Sequence, residues 1–159
     1  MQRFRKSILA VGLVISIFSL APGLGSAQAQ SAVLARLRVL GIPGSAQAQS
    51  IIVCDVEIAD PHPSGHVPGT VDVVATVGCS APMSAIGMTV RLFYNTIQRG
   101  INSCGNSGKP GLTCVAATAP CLPGAYQGKA TAILSFPPGY EPSPQTAKVQ
   151  TPLVGVACG

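Results

Sequence analysis

The chain has 159 residues, enough for one domain, and is 47% hydrophobic with only 9% charged residues. So little charge excludes disorder through self-repulsion, and the 18 glycines and 14 prolines disfavour a helical bundle. The net charge of +5 suggests a nucleic-acid partner, but five of the ten basic residues and none of the five acidic ones precede residue 49. Because a nucleic-acid module concentrates its basic residues on the folded part, we expect no nucleic-acid partner.

Residues 1–29 have the three parts of a secretory signal peptide. A positive segment at residues 1–6 precedes an uncharged apolar stretch at 8–21, and the AQA of residues 27–29 is an A-x-A cleavage sequence. The apolar stretch of 14 residues is shorter than the roughly 20 that span a bilayer, which disfavours a permanent anchor. We therefore expect a secreted protein, extracellular or associated with the cell envelope, with no membrane association after the signal is removed.

The heptapeptide GSAQAQS occurs twice, at residues 25–31 and 44–50. The second copy offers another A-x-A sequence, so residues 30–49 are either a propeptide or a spacer left by a tandem duplication. The apolar residues between the copies are too few for a stable isolated helix. We expect a disordered spacer here and place the folded domain at residues 50–159.

From residue 50 onward, apolar and polar residues alternate and turn residues separate the segments, which predicts β-strands. Three strands have a clear inward face, formed by Ile52, Cys54, Val56 and Ile58, by Val71, Val73, Ala75, Val77 and Cys79, and by Ile86, Met88, Val90, Leu92 and Tyr94. Weaker segments follow at 97–101 and 112–119, then a long strand at 124–136 and a partner at 146–157 that Pro152 interrupts. About six to eight short strands without a helix predict an all-β fold, an antiparallel immunoglobulin-like β-sandwich.

Six cysteines in an exported chain predict a disulfide-stabilised domain. The predicted pairs are consecutive along the chain: Cys54–Cys79, Cys104–Cys114 and Cys121–Cys158. For the first pair, the same antiparallel register also places Val56 opposite Val77, so packing and sulfur geometry agree. The second pair flanks a turn-rich segment, and the third fits a register centred in residues 137–144. The chain has no C-x-x-C pair, which disfavours zinc.

The loop at residues 60–69 contains weak candidates for a metal site, Asp60, His62 and His66. Two imidazoles and a carboxylate would suit copper or zinc. The prolines and glycine of this loop preclude a helix that would align the two rings, so an exposed loop is the favoured interpretation. We expect neither a metal nor another cofactor.

Motifs of catalysis are incomplete. Residues 105–109 lack the second glycine of a G-x-S-x-G turn, and Pro110 stands where a phosphate-binding loop needs Ser or Thr. The carboxylates of Asp55, Glu57 and Asp72 have outward parity and do not suggest a catalytic pair. We therefore expect no enzyme activity.

Two disulfide-bounded loops offer an alternative function, inhibition of a secreted protease or another hydrolase. Lys109 and Leu122 are the residues that such loops would present, and a rigid loop loses less entropy on binding. Pro110, which follows Lys109 directly, is unfavourable in a substrate-like loop.

A candidate interaction patch consists of Phe93, Ile133 and Tyr140. Phe93 and Ile133 have outward parity on strands that we expect to be neighbours, and Tyr140 lies at a predicted loop tip. Single exposed apolar residues are common on protein surfaces. The absence of Trp disfavours an aromatic platform for sugars.

Several segments of residues 51–158 together resemble a known group of proteins. They are GTVDVVATVGCS, MTVRLFYN, PCLPGAYQGKA, PPGYEP and the terminal Val-x-Cys. The chain resembles small secreted actinobacterial proteins of unassigned function with an immunoglobulin-like β fold. The resemblance implies export, a sandwich and disulfides, and supplies no catalytic residues. We expect a non-catalytic interaction module whose partner is an unknown extracellular protein or envelope component, with the hydrolase inhibitor as the alternative.

Overall fold

The computed structural model describes residues 35–45 and 50–158, in which all regular secondary structure is β-strand. The strands are β1 (Ala35–Pro43), β2 (Ile52–Ile58), β3 (His62–Pro63), β4 (Val71–Cys79), β5 (Ala85–Tyr94), β6 (Ile97–Asn106), β7 (Gly111–Thr118), β8 (Gly124–Ser135), β9 (Tyr140–Glu141), β10 (Gln145–Gln150) and β11 (Val154–Val156). The described residues contain no helix long and apolar enough to cross a membrane. The predicted all-β class is confirmed. The part of the chain that the structure describes has eleven strands, more than the six to eight predicted. Three of them, β3, β9 and β11, have only two or three residues, and β1 was not expected.

The strands form two antiparallel sheets. The first sheet has the order β9-β1-β2-β4-β7, and β3 pairs with β4 beyond the end of β2. The second sheet has the order β6-β5-β8-β10, and β11 pairs with the opposite end of β8. The break between β10 and β11 contains Pro152, as the sequence predicted.

The core lies between the two sheets and consists mainly of small and β-branched side chains. The three inward faces predicted from alternation are buried for almost their whole length, with Cys79 and Tyr94 at their margin. The sheets approach closely at Gly128, where an added Cβ would lie 2.5 Å from Val73 Cγ2 and 3.0 Å from Ile58 Cδ1. The packing there requires glycine, because a larger residue would force the sheets apart.

β1 corrects the expectation of a disordered spacer. Its backbone pairs with β2 over seven residues, from Ala35 opposite Ile58 to Gly41 opposite Ile52. Val39 is in the core, and the ring of Phe136 covers Gly41. The strand was missed because its apolar residues do not mark its buried face. Leu37, Leu40 and Ile42 are exposed, and the buried positions are Val39 and Gly41. The predicted signal peptide and both A-x-A sequences lie outside the described residues.

The three disulfide bonds are those predicted from the sequence. Cys54–Cys79 joins β2 to β4 in the predicted register, and Cys121–Cys158 joins the segment before β8 to the C-terminal end. Cys104–Cys114 connects β6 to β7 and so joins the two sheets along one side of the sandwich. On that side the amide of Asn102 also donates a hydrogen bond of 2.8 Å to the carbonyl oxygen of Val115.

Candidate ligand-binding face

The outer surface of the second sheet carries three neighbouring cations, which we call the cationic face: Arg91 on β5, Lys129 on β8 and Lys148 on β10. Each occupies an outward position, between buried residues of its strand. Arg91 lies directly opposite Lys129, and Lys148 lies opposite Thr131, two residues further along β8. The antiparallel register thus brings together three residues that are far apart in the sequence.

A shallow depression of about 550 Å³ lies on this face. It is lined by the three cations, by Phe93, and by the polar side chains of Thr131 and Gln150. The ammonium nitrogen of Lys129 lies 4.9 Å from the centre of the Phe93 ring, a cation–π contact. The depression therefore offers positive charge, a hydroxyl group and an amide within one site.

The second sheet has no acidic residue to balance these cations. Its strands β5, β6, β8 and β10 include Arg99 as a fourth basic residue, whereas all five acidic residues of the chain lie in the first sheet or its loops. All four ion pairs among the described residues are in the first sheet. Like charges directly opposite each other destabilise a sheet, so the pair Arg91 and Lys129 is unfavourable for folding alone.

The outer surface of the first sheet is different because its charges neutralise one another. Arg36 on β1 contacts Asp55 at 2.6 Å and Glu57 at 3.0 Å, and Arg38 contacts Asp55 at 3.1 Å. The hydrogen bond from Arg36, then that from Arg38, holds the pKa of Asp55 below its ordinary value. The pKa of Arg36 is raised by the same bond. These carboxylates are engaged in ion pairs with β1.

The predicted patch of Phe93, Ile133 and Tyr140 is not one surface. Phe93 is opposite Gln127 and Ile133 is opposite Gly87, so they share the outer surface of the second sheet but lie about 20 Å apart along β5. Tyr140 is on β9 in the first sheet, where it is partly buried against the core. Of the three, Phe93 alone lines the depression.

The metal-site candidates do not converge. Among the described residues, no group of three or more His, Cys, Asp or Glu side chains is placed to hold a metal ion. His62 has Nδ1 2.9 Å from the carbonyl oxygen of Asp60 and Nε2 3.1 Å from Oδ1 of Asp72. His66 is exposed in the following turn, where its backbone N–H donates to the hydroxyl of Ser64.

Asp72 corrects a prediction, because its side chain is buried rather than solvent-facing. Its exposed fraction is 6%, although its parity on β4 is opposite to that of the core. The cause is β3, which pairs with β4 at this point and places His62 directly opposite Asp72. A two-residue strand has no alternation, so no pattern in the sequence indicates this cover.

The two loops considered for hydrolase inhibition have their backbones engaged within the protein. The Lys109 carbonyl accepts a hydrogen bond from Met83 N–H, and Gly108 N–H donates to the Met83 carbonyl. In the other loop, the Tyr126 hydroxyl both accepts from the N–H of Leu122 and donates to its carbonyl. A bound protease would have to compete with these bonds for the same backbone groups, which disfavours both loops as inhibitory segments.

Sequence reasoning did not identify the cationic face. The outward parity of Arg91, Lys129 and Lys148 relative to the core residues of their strands was the available signal. The pairing of β5 with β8 and of β8 with β10 was also needed, because a single outward cation on each strand is unremarkable.

The chain was also compared with known proteins. No protein-family model matches it, and no curated protein is significantly similar to it.

Proposed function

We propose that this protein is a secreted, non-catalytic binding module, extracellular or associated with the cell envelope, and that the cationic face is its recognition surface. The observation that carries the proposal is the group of three cations with no acidic residue on their sheet. Uncompensated like charges at one place oppose folding, so their concentration beside a depression favours a role in binding.

Export is supported by the predicted signal peptide and by the three disulfide bonds. Such bonds are typical of proteins that fold in an oxidising compartment. They also suit a chain whose core consists mainly of small and β-branched side chains, because cross-links add stability that a thin core lacks. We also propose that the chain is related to the small secreted actinobacterial proteins that its sequence resembles, a relationship that would imply export.

We further propose that the sandwich is immunoglobulin-like. If β2, β4, β5, β7, β8 and β10 are equated with strands A, B, C, E, F and G, and β6 with an additional strand beside C, the pairings A-B-E and G-F-C follow the immunoglobulin plan. The disulfides differ from that plan, because the first joins A to B within one sheet instead of B to F across the core.

A retention experiment tests the binding function. The oxidised protein is immobilised and exposed to envelope fractions and culture supernatant of its source. We expect a component to be retained by the wild type and by Lys109→Gln, which removes a cation from the loop between β6 and β7. The combined variant Arg91→Gln, Lys129→Gln, Lys148→Gln should not retain it. Equal retention by all three proteins, or by none, would contradict the proposal.

A further inference from the structure

We infer that the cationic face binds an acidic glycopolymer, a hydroxyl-rich chain with repeated carboxylate or phosphodiester groups, and that Phe93 positions Lys129 for this ligand. The inference rests on the proposed function and adds the class of ligand. It has two parts, the chemistry of the polymer and the role of the aromatic ring.

The charge of the face requires an anionic partner. Arg91 and Lys129 are cross-strand neighbours, so their Cα atoms are about 5 Å apart, and Lys148 is on the next strand. None of the chain's acidic residues is on these strands. An anion placed between the cations would remove their mutual repulsion and gain attraction from all three.

The arrangement of the cations fits a polymer better than a single small anion. They lie obliquely across three strands, and two strand spacings already amount to about 10 Å. Contact of one small anion with all three would require three long side chains to converge, which costs side-chain entropy. A chain with an anionic group on successive units would contact each cation with a different unit, and weak contacts would add along the chain.

The other groups in the depression favour a hydroxyl-rich ligand. Thr131 and Gln150 offer a hydroxyl and an amide that can donate to and accept from sugar or polyol hydroxyls. A membrane surface is disfavoured because peripheral binding needs several apolar side chains that insert together beside the cations. Ile101, opposite Arg91, is exposed, but Phe93 is covered by Lys129 and Ile133 is about 13 Å from Lys129 along β8.

Phe93 acts through Lys129 and not as a stacking platform. The ammonium of Lys129 lies 4.9 Å from the ring centre, so the ring face is occupied. This also disfavours single-stranded nucleic acid, which needs free aromatic faces for its bases. The contact instead restricts a long, flexible side chain and holds its charge beside Arg91. Phe93 is therefore a positioning residue.

Titration calorimetry with defined oligomers tests the ligand class. The probes are an oligogalacturonate, an oligo(glycerol phosphate) and a neutral oligogalactan of equal length, together with phosphatidylglycerol vesicles and single-stranded DNA. We expect at least one acidic oligomer to bind, and the stronger of the two identifies carboxylate or phosphodiester as the preferred group. Its affinity should fall about tenfold between 50 and 200 mM salt, and the neutral oligomer should not bind.

Matched variants locate the site. The triple variant Arg91→Gln, Lys129→Gln, Lys148→Gln should lose about 30-fold in affinity, at about threefold for each exposed cation, while Lys109→Gln stays within about twofold of wild type. The substituted side chains point outward and are not part of the core, so we expect the variants to fold. Disulfide maps and Tm values verify this for each variant. Equal loss in Lys109→Gln would show a nonspecific effect of net charge and overturn the inference.

A double-mutant cycle tests the role of Phe93. In the wild-type background, Phe93→Leu should lower the affinity for the acidic oligomer about threefold. In the Lys129→Gln background it should lower the affinity no further, because the ring acts through the ammonium. Independent effects of the two substitutions would overturn the positioning role.

The remaining outcomes separate the inference from the proposed function. Tighter binding of vesicles, DNA or the neutral oligomer would overturn the ligand class. Binding of no probe, while the envelope component is still retained through the cationic face, would do the same and leave the proposed function intact. If the wild type and the triple variant retained the envelope component equally, the proposed function itself would be contradicted.

Discussion

The outer surfaces of the two sheets use charge in opposite ways. On the first sheet, Arg36 and Arg38 of β1 form ion pairs with Asp55 and Glu57 of β2, so the charges balance within the surface. On the second sheet, Arg91 faces Lys129 and no acidic residue is present on the strands. Both surfaces belong to one small domain, yet one has its electrostatic interactions satisfied internally and the other does not.

This difference limits what can be inferred from net charge. From residue 49 onward, the chain has five basic and five acidic residues, which argues against a charged partner. The fold nevertheless places the acidic residues in the first sheet and its loops, and four of the five basic residues on the second sheet. A neutral sum over residues 49–159 therefore coexists with an uneven distribution of charge between the two sheets, which the strand order determines.

Removal of β1 should cause the largest loss of stability, and the loss begins in the first sheet. A chain that begins at residue 49 loses Val39 from the core, uncovers Phe136 and leaves Asp55 and Glu57 without their cations. We expect the free energy of unfolding to fall by about 3 kcal/mol, the order expected for exposing a large apolar side chain. Urea unfolding of chains that begin at residues 30 and 49 measures it. Equal midpoints would mean that β1 is not an integral strand.

Gly41→Ala should cause the next largest loss of stability. The added methyl group would collide with the ring of Phe136, so β1 would be displaced together with Arg36 and Arg38. We expect a loss of about 1–3 kcal/mol by thermal or urea unfolding. The matched control is Gly78→Ala in the same sheet, where a Cβ meets no atom within 4 Å and stability should be unchanged or rise. Similar losses in both variants would contradict the packing explanation.

The sequence predicted those parts of the molecule in which neighbouring residues carry a repeated signal. Strict alternation located β2, β4 and β5, and the shared register of Cys54, Val56 and their partners defined the first disulfide. β1 was missed because its buried positions are few, and the cover over Asp72 was missed because β3 has two residues. The cationic face depends on pairing between strands remote in sequence, which local patterns do not contain.

Acidification should affect the two surfaces unequally. Because Arg36 lowers the pKa of Asp55, this ion pair stabilises the folded state fully above the ordinary aspartate value of 3.8 and is lost as the pH falls through the lower folded-state pKa. We expect amide protection in β1 to fall in this acidic range. β6, at the edge of the second sheet, carries Arg99 and no acidic residue and serves as the internal reference. Hydrogen exchange measures both strands in one sample, and an equal loss in β6 would contradict the assignment to Asp55.

The smallest expected effect is a gain in stability from a substitution on the second sheet. Arg91→Gln removes the repulsion with Lys129 and should raise the free energy of unfolding by a few tenths of a kcal/mol, or Tm by about 1 °C. Arg36→Gln breaks ion pairs on the first sheet and should lower Tm. Scanning calorimetry at low salt compares the two substitutions of the same residue type. A fall in Tm for Arg91→Gln would show that the second sheet does balance its charge.

The position of β1 makes the outer surface of the first sheet depend on where the chain is cleaved. The strand lies between the two copies of GSAQAQS, and each copy contains an A-x-A sequence. Cleavage at the first would leave β1 attached to β2, whereas cleavage at the second would separate it from the rest of the domain. Since β1 supplies Val39 to the core and both arginines to Asp55 and Glu57, the two products would differ in core and in surface: one neutral on this face, the other acidic.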